Sequence, residues 1–549
     1  MKKIYLTLAA AAFMGTANAQ FWTYTSYKGA FPITDGTSGT TSNDWTAGWC
    51  NWNPVLTAYG SPTITVGSDI TANTTWTTGT IVLLQNKVYV KSGATLTIQP
   101  GVIIRGEESS QGTLIITKGS KIMAMGTQAN PIVFTSELPN DGSRAEGNWG
   151  GLVILGQALN NQPGGVANIE GITASTDTEY GGTNDADNSG ELHYVRIEFA
   201  GIALAPNKEI NGLTLGSVGS GTTIDHVQVS FCGDDGFEWF GGTVDAKYLV
   251  SFRNLDDDFD CDFGFRGRVQ FALSVKDKDL SDAAGDSNAF ECDNDAAGSN
   301  ALPRTMPVFS NVTIIGPKGN GSTALPVGEK FEKSFRLRRN SAVSIHNSLS
   351  TGWEKGLSIE GSAAEDNYNG GTIDSAYFKN NILSNYTVNT AKVTASASFY
   401  SAFFTADGND TLTTIAGINW VNAFPATLET TGDYRLNLAT TATGAVFTGP
   451  NFTGGFVGIE NAETNELSDL AIYPNPANEQ LNIAFNVIEN TNAVVSILDV
   501  AGKVIYTTTL NATGGINKHL VNVAGFNNGV YFVRVNAGEL SSTIKFIKN

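Results

Sequence analysis

Charge and cysteine are both scarce in this 549-residue chain. Only 15% of residues are charged and there are four cysteines and four histidines, yet apolar residues make up 41%. That balance excludes a disordered charged tail, which has too little apolar surface to bury, and a small scaffold built on disulfides. Cys50, Cys232, Cys261 and Cys292 read first as small buried residues. Long hydrophobic runs are missing too: past the first 20 residues, no segment approaches the roughly 20 apolar residues needed to span a bilayer. No amphipathic helical pattern is sustained. No CxxC pair or glycine-rich phosphate loop occurs, and no serine, histidine and aspartate fall into an acyl-transfer arrangement. Acids outnumber bases 52 to 33, giving a formal charge of −19, which repels nucleic acid and anionic membrane surfaces.

What is present begins with an export signal. Lys2 and Lys3 precede an apolar run from Ile4 to Met14, and Ala17-Asn18-Ala19 supplies small residues before Gln20, the order of a secretory signal over residues 1–19. No cysteine follows to carry a lipid, so a soluble exported product is expected. Residues 20–64 then crowd Trp22, Tyr24, Tyr27, Phe31, Trp45, Trp49 and Trp52 among glycine and threonine. An exposed aromatic row of this kind stacks on sugars; the other reading is a plug over the open first turn of a coil.

From about residue 80 the chain reads as clipped strands between glycine turns, as in IVLLQNKVYV and GTLIITKGSKIMAMG. One strand recurs. In HYVRIEFAG (193–201) and DHVQVSFCG (225–233), Val195, Ile197 and Phe199 fall on Val227, Val229 and Phe231; KYLVSF (247–252) is expected to set Val250 and Phe252 on Val229 and Phe231. Unequal repeats of strands and turns bury their apolar faces only by stacking. An all-β chain with a parallel β-helix over residues 65–457 satisfies this; a β-propeller is the alternative. The chain here resembles the pectin-lyase-like right-handed β-helix superfamily, which includes pectate lyases and polygalacturonases. Gly233-Asp234-Asp235 looks like one polygalacturonase motif, but the Gly-His-Gly and Arg-x-Lys elements of those enzymes do not appear. The resemblance implies that a lyase would use Ca²⁺ and a basic side chain such as Lys333, Arg336 or Arg338.

GDDGFEWFGG (233–242) and LDDDFDCDFG (255–264) repeat their acids in register, and NAFECDND (288–295) is a weaker third copy. Phe237, Phe259 and Phe290 then face inward, Glu238, Asp260 and Glu291 form an outward column, and Trp239, Cys261 and Cys292 return inside, with Cys261 stacked on Cys292. Rungs lie about 4.8 Å apart. Two carboxylates at that spacing repel by about 3.5 kcal/mol at an effective dielectric of about 20. Three accounts offset the repulsion: Ca²⁺ held by Asp234, Asp235, Glu238, Asp256, Asp257, Asp258, Asp260 or Asp262; pairing with Arg253, Arg266, Arg268 or the FRLRRN strand at 335–340; or plain solvation. Asp185, Asp187 and Ser189 in DADNSG match half of an EF-hand calcium loop, with Arg196 where the last ligand should be. A polar glycine turn explains them equally.

After a polar linker (458–469), residues 470–549 alternate as half-buried strands: IYPNPANEQLNIAF, VVSILDVAGKVIY, NNGVYFVRV and IKFIKN. Tyr473, Pro474, Asn475, Pro476, Gly502, Gly529, Tyr531, Lys545 and Lys548 carry a resemblance to the C-terminal sorting domain of the type IX secretion system of Bacteroidetes. It implies a small β-sandwich, the type IX machinery as partner, and release or surface attachment of the cargo. The functional expectation is an exported, non-catalytic β-helix that binds glycan or builds surface structure. The alternative is a polysaccharide lyase or glycoside hydrolase acting on an acidic polysaccharide.

Overall fold

The computed structural model describes residues 21–34, 43–202, 210–282, 285, 287–318, 330–368, 376–392, 407–412, 418–423, 432–437, 442–443, 470–473, 476–487, 490–499, 503–513, 515–538 and 540–549. The expected signal (1–19), the linker (458–469), Pro474, Asn475 and Gly502 lie outside them. The chain divides into two compact units, Met1–Gly454 and Gly455–Asn549.

The first unit is a parallel β-helix. Long strands Gly190–Glu198, Thr223–Ser230, Asp245–Phe252, Arg268–Val275 and Val308–Ile315 stack in parallel as one wall. Short strands Leu213–Gly216, Phe237–Phe240, Phe259–Asp262, Phe290–Cys292 and Lys333–Arg338 stack as a second. Each long strand bends once, at Tyr194, His226, Tyr248, Phe271 or Asn311, all with φ between +48° and +63°. Such a backbone costs about 1–2 kcal/mol for a residue with a Cβ. Ring stacking offsets it: successive centroids lie 4.3, 4.4 and 5.0 Å apart from Tyr194 through His226 and Tyr248 to Phe271. At the later bends Asn311, Asn347 and Asn380 take over, asparagine being tolerant of this region, and Asn380 Nδ2 donates to Asn347 Oδ1 at 2.6 Å.

Alternation governs the second wall as expected. Phe237, Phe259, Phe290 and Phe335 are register partners, fully buried, with centroids 5.7, 5.1 and 5.2 Å apart. Trp239, Cys261, Cys292 and Leu337 form the parallel inner column. All four cysteines are free, and all but the half-buried Cys50 are buried. Burial pushes the Cys292 and Cys232 thiols up, which keeps them unreactive. Alkylation of the native protein should therefore leave Cys232, Cys261 and Cys292 unlabelled, and unfolding without reductant should give four adducts by mass. Two adducts would mean that the stacked pair is joined.

KYLVSF departs from its expected register by one residue. Val250 pairs with Gln228 and Phe252 with Ser230, so both side chains face outward instead of lying under Val229 and Phe231. A one-residue slip exchanges the two faces of a strand; here it leaves no apolar residue in water because the outer face is itself covered. The aromatic segment provides that cover. Its described residues lie as a strap across the long-strand wall instead of plugging the first turn. Trp52 meets Phe252 edge-on at 5.0 Å, Trp45 lies 5.3 Å from Tyr248, and Trp49 meets Tyr194 at 5.7 Å. Polar ties run the same course: Thr23 N to Gln270 Oε1, Asn51 N to Gln228 Oε1 and Ala30 N to Thr313 Oγ1, at 2.8–2.9 Å. Buried Glu198 accepts from Tyr59 Oη at 2.8 Å and pairs with Arg196 at 3.3 Å, anchoring the far end of the strap.

The second unit is the expected β-sandwich. A three-stranded antiparallel sheet (Ala471–Tyr473, Gln480–Val487, Gly515–Asn522) and a four-stranded one (Thr491–Asp499, Val504–Ala512, Gly529–Ala537, Leu540–Lys548) share one core containing Leu481, Ile483, Val495, Ile497, Val533 and Phe546. Tyr531 stacks on Phe546 at 5.5 Å and donates to Asn527 O. Lys545 and Lys548 lie on the last strand opposite Phe532 and Gly529; Gly529 opens a strand, and Pro476 is exposed beside the first.

Candidate functional site

The outward column of the short-strand wall changes character along its length. Its register partners run Tyr89, Ile115, Val153, Thr214, Glu238, Asp260, Glu291, Arg336 and Ser358. The apolar start is roofed by the insertion between the walls, whose hairpin (Val166–Asn168 with Glu179–Gly181) brings Ile169, Ile172 and Tyr180 onto Ile115, Val153, Leu155 and Phe240. Tyr180 lies against Gly216, where an added Cβ would come within 2.7 Å of the ring; glycine is required there. The column therefore begins in a covered, water-poor setting, and the acids follow directly.

Five predicted residues converge. Asp234, Asp235 and Asp256 form one set and Asp235, Glu238 and Asp260 another, each with one ligand atom per residue within 4.8 Å of the others. Asp235 belongs to both. It is 7% exposed and Glu238 6%, and Asp260 Oδ1 is buried without a hydrogen-bond partner. Asn211 donates to Glu238, and Asp257 N donates to Asp235 Oδ1 at 2.8 Å. Among the described residues, Asp235, Glu238 and Asp260 form no ion pair. Burial, then neighbouring carboxylates, pushes all three carboxyls well above the usual range; Asp256 is raised to about 7, chiefly by burial.

The other predicted acids are placed otherwise. Asp257 accepts from Asn288 N at 2.5 Å and borders the cluster. Asp258 turns inward, where Ser251 and Ser274 each donate at 2.5 Å and Lys276 pairs with it at 3.4 Å, both ions fully buried. Asp262 accepts its neighbour's amide, Phe263 N, at 2.6 Å. Asp185 is gripped by both terminal nitrogens of Arg266 at 3.0–3.1 Å, and Asp187 accepts from Ser189 Oγ at 3.0 Å. The half calcium motif thus has its first carboxylate engaged by a guanidinium.

Among the described residues, the arginine pairs on this column lie at its far end. Arg336 Nη1 reaches Glu291 Oε2 at 2.8 Å, Arg338 contacts Glu291 and reaches Asp293 Oδ1 at 2.8 Å, and Arg339 reaches Asp293 Oδ2 at 2.6 Å. Lys333 contacts Glu332. Of the other expected cations, Arg253 pairs with Asp277, Arg266 with Asp185 and Arg268 with Asp245, so none compensates Asp235, Glu238 or Asp260.

A family model described as a pectate-lyase-like beta helix domain matches residues 68–424, well over half of the chain. The protein belongs to that family. A second model, a secretion system C-terminal sorting domain, matches residues 471–549; this β-helix is type IX cargo, secreted or displayed at the outer-membrane surface. No curated protein matches the chain. Among solved structures, full-length tailspike protein 2 from Escherichia coli O157:H7 bacteriophage CAB120 is similar at 10% identity and a TM-score of 0.18, over 85% of this chain and 64% of that one.

Proposed function

We propose that the protein is a non-catalytic β-helix of the cell surface or extracellular space, clamped by calcium at its acidic column and binding glycan through its aromatic strap. The observation that carries this reading is the cover over the coil: the strap lies over the long strands and the hairpin insertion over the start of the short-strand wall, where a depolymerase of this architecture needs an open groove with an acid and a base converging on it. Arg336, Arg338 and Lys333, the expected lyase bases, each hold a carboxylate, which works against a role as base.

Calcium suits the acid cluster because it takes six to eight hard oxygen ligands in flexible geometry. Asp234, Asp235, Glu238, Asp256 and Asp260 supply that chemistry around one shared carboxylate. For glycan, Tyr27, Trp45, Tyr248 and Phe271 line a cleft of about 280 Å³ with Thr23 and Asp44 at its edge, combining apolar ring surface with polar partners. A panel of acidic and neutral polysaccharides, scored for binding and for product release, tests the reading. Saturable binding without products is expected. Unsaturated products or new reducing ends would overturn it in favour of a lyase or hydrolase.

A further inference from the structure

Two of the chain's four histidines meet at one carboxylate on the outside of the long-strand wall. His193 and Asp225 are register partners on adjacent rungs. Their neighbours Leu192 and Ile224 are buried in the core, so alternation points His193 and Asp225 outward. His226 follows Asp225 at the bend, where φ is +56°. His193 Nδ1 lies 3.2 Å from Asp225 Oδ1, and His226 Nδ1 contacts the same oxygen. Ligand atoms of all three residues lie within 4.8 Å of one another.

The surroundings hold these groups without closing them off. His226 lies flat between Tyr194 and Tyr248, at 4.3 and 4.4 Å with interplanar angles of 25° and 19°, and the edges of Trp45 and Trp49 flank it at 6.4 and 5.6 Å. His193 packs edge-on against Tyr194 at 4.7 Å. The side chains of His193, Asp225 and His226 remain 40, 25 and 13% exposed. Lys247 is the register partner of Asp225 on the next rung. Its ammonium is drawn instead to the strap, donating to Thr23 Oγ1 at 3.1 Å and lying 4.8 Å over the Phe21 ring. Among the described residues, Asp225 therefore pairs with the two imidazoles and with no lysine or arginine.

We propose that His193, Asp225 and His226 bind one borderline divalent transition metal, zinc being the representative ion. Two imidazole nitrogens and one carboxylate oxygen suit zinc, nickel or copper, whereas calcium and magnesium select oxygen. Bonds of about 2.0–2.1 Å in a tetrahedron set donors about 3.3 Å apart; the His193–Asp225 separation of 3.2 Å meets that requirement, and the closer His226–Asp225 contact opens to it by a small side-chain shift when the ion enters. Strand pairing fixes two ligands and the aromatic stack orients the third, so little ordering remains to oppose binding. This site shares no residue with the acidic column and stands independently of the calcium reading.

Zinc titration of the full chain by calorimetry, in millimolar calcium to occupy the carboxylate cluster, tests the assignment. One site with a dissociation constant at or below about 10 µM is expected. His193→Ala and Asp225→Asn should each weaken it at least tenfold. His519→Ala, in the C-terminal unit, should leave it unchanged. His193 lies outside the tyrosine sandwich, so its variant should keep the parent melting temperature, and Asp225→Asn checks the result without removing a ring. Absence of zinc binding, or binding equally tight in both variants, would overturn the proposal.

Discussion

Stripped of calcium, the protein should lose stability as the pH rises from 4 toward 8, and calcium should restore part of it at neutral pH while doing nothing at pH 4. The sign follows from the direction of the shifts. Asp235, Glu238 and Asp260 are raised well above the usual carboxyl range and Asp256 to about 7, so the folded state binds more protons than the unfolded chain between those limits. Groups raised in this way contribute fully below their unfolded values near 4, and their contribution is lost as pH climbs through the folded values. For Asp256 alone, a rise from the usual 3.8 to about 7 corresponds to stability on the order of 4 kcal/mol. Calcium replaces the missing protons at neutral pH. A site with a dissociation constant of about 10⁻⁴ M contributes about 1.4 kcal/mol in millimolar calcium, and one of about 10⁻⁵ M about 2.7 kcal/mol. Melting curves at pH 4, 6 and 8, with calcium or chelator, check both halves. Asp235→Asn with Asp260→Asn should reduce the pH dependence, leaving the share of Glu238 and Asp256, and abolish the calcium response.

The second large effect concerns the core. Phe259→Ala should destabilise the β-helix by about 3–5 kcal/mol, the usual cost of removing a buried phenylalanine from a site that cannot collapse. Phe259 is fully buried between Phe237 and Phe290 at 5.7 and 5.1 Å, with Phe309 at 6.2 Å. Both rung neighbours are fixed by backbone pairing, so the cavity stays open. Phe263→Ala, a partly buried residue of the outer face, should cost clearly less. Chemical denaturation of the two variants compares them; equal losses would mean that the inward assignment of the Phe259 column is wrong.

Much of this fold is legible in the sequence because a parallel stack converts sequence offsets into spatial contacts. The Phe, acid and Cys columns follow from repeats 22 and 31 residues apart, and the ladder reproduces them residue for residue. The same logic fails at KYLVSF. Its outer face is apolar because a strap from 200 residues earlier covers it, so both faces read as core and the alternation loses its phase. Asp258 is misleading for a related reason. It precedes the strand that begins at Phe259, where alternation has not yet started, and Ser251, Ser274 and Lys276 draw it inward. The pairing of Asp185 with Arg266 spans 81 residues, with no local signal in either segment. His193 and His226 read as structural residues at strand starts because their spacing misses the 32-residue rung by one, and the bend at His226 brings the rings together regardless.

The clamp itself can be located directly. Crystals grown in millimolar calcium and measured at a wavelength where calcium scatters anomalously should show one peak about 2.3–2.6 Å from oxygens of Asp235 and of Glu238, Asp260 or Asp256. Carboxyls of Asp235, Glu238 and Asp260 bonded to one another, with no anomalous peak among them at neutral pH, would contradict the account.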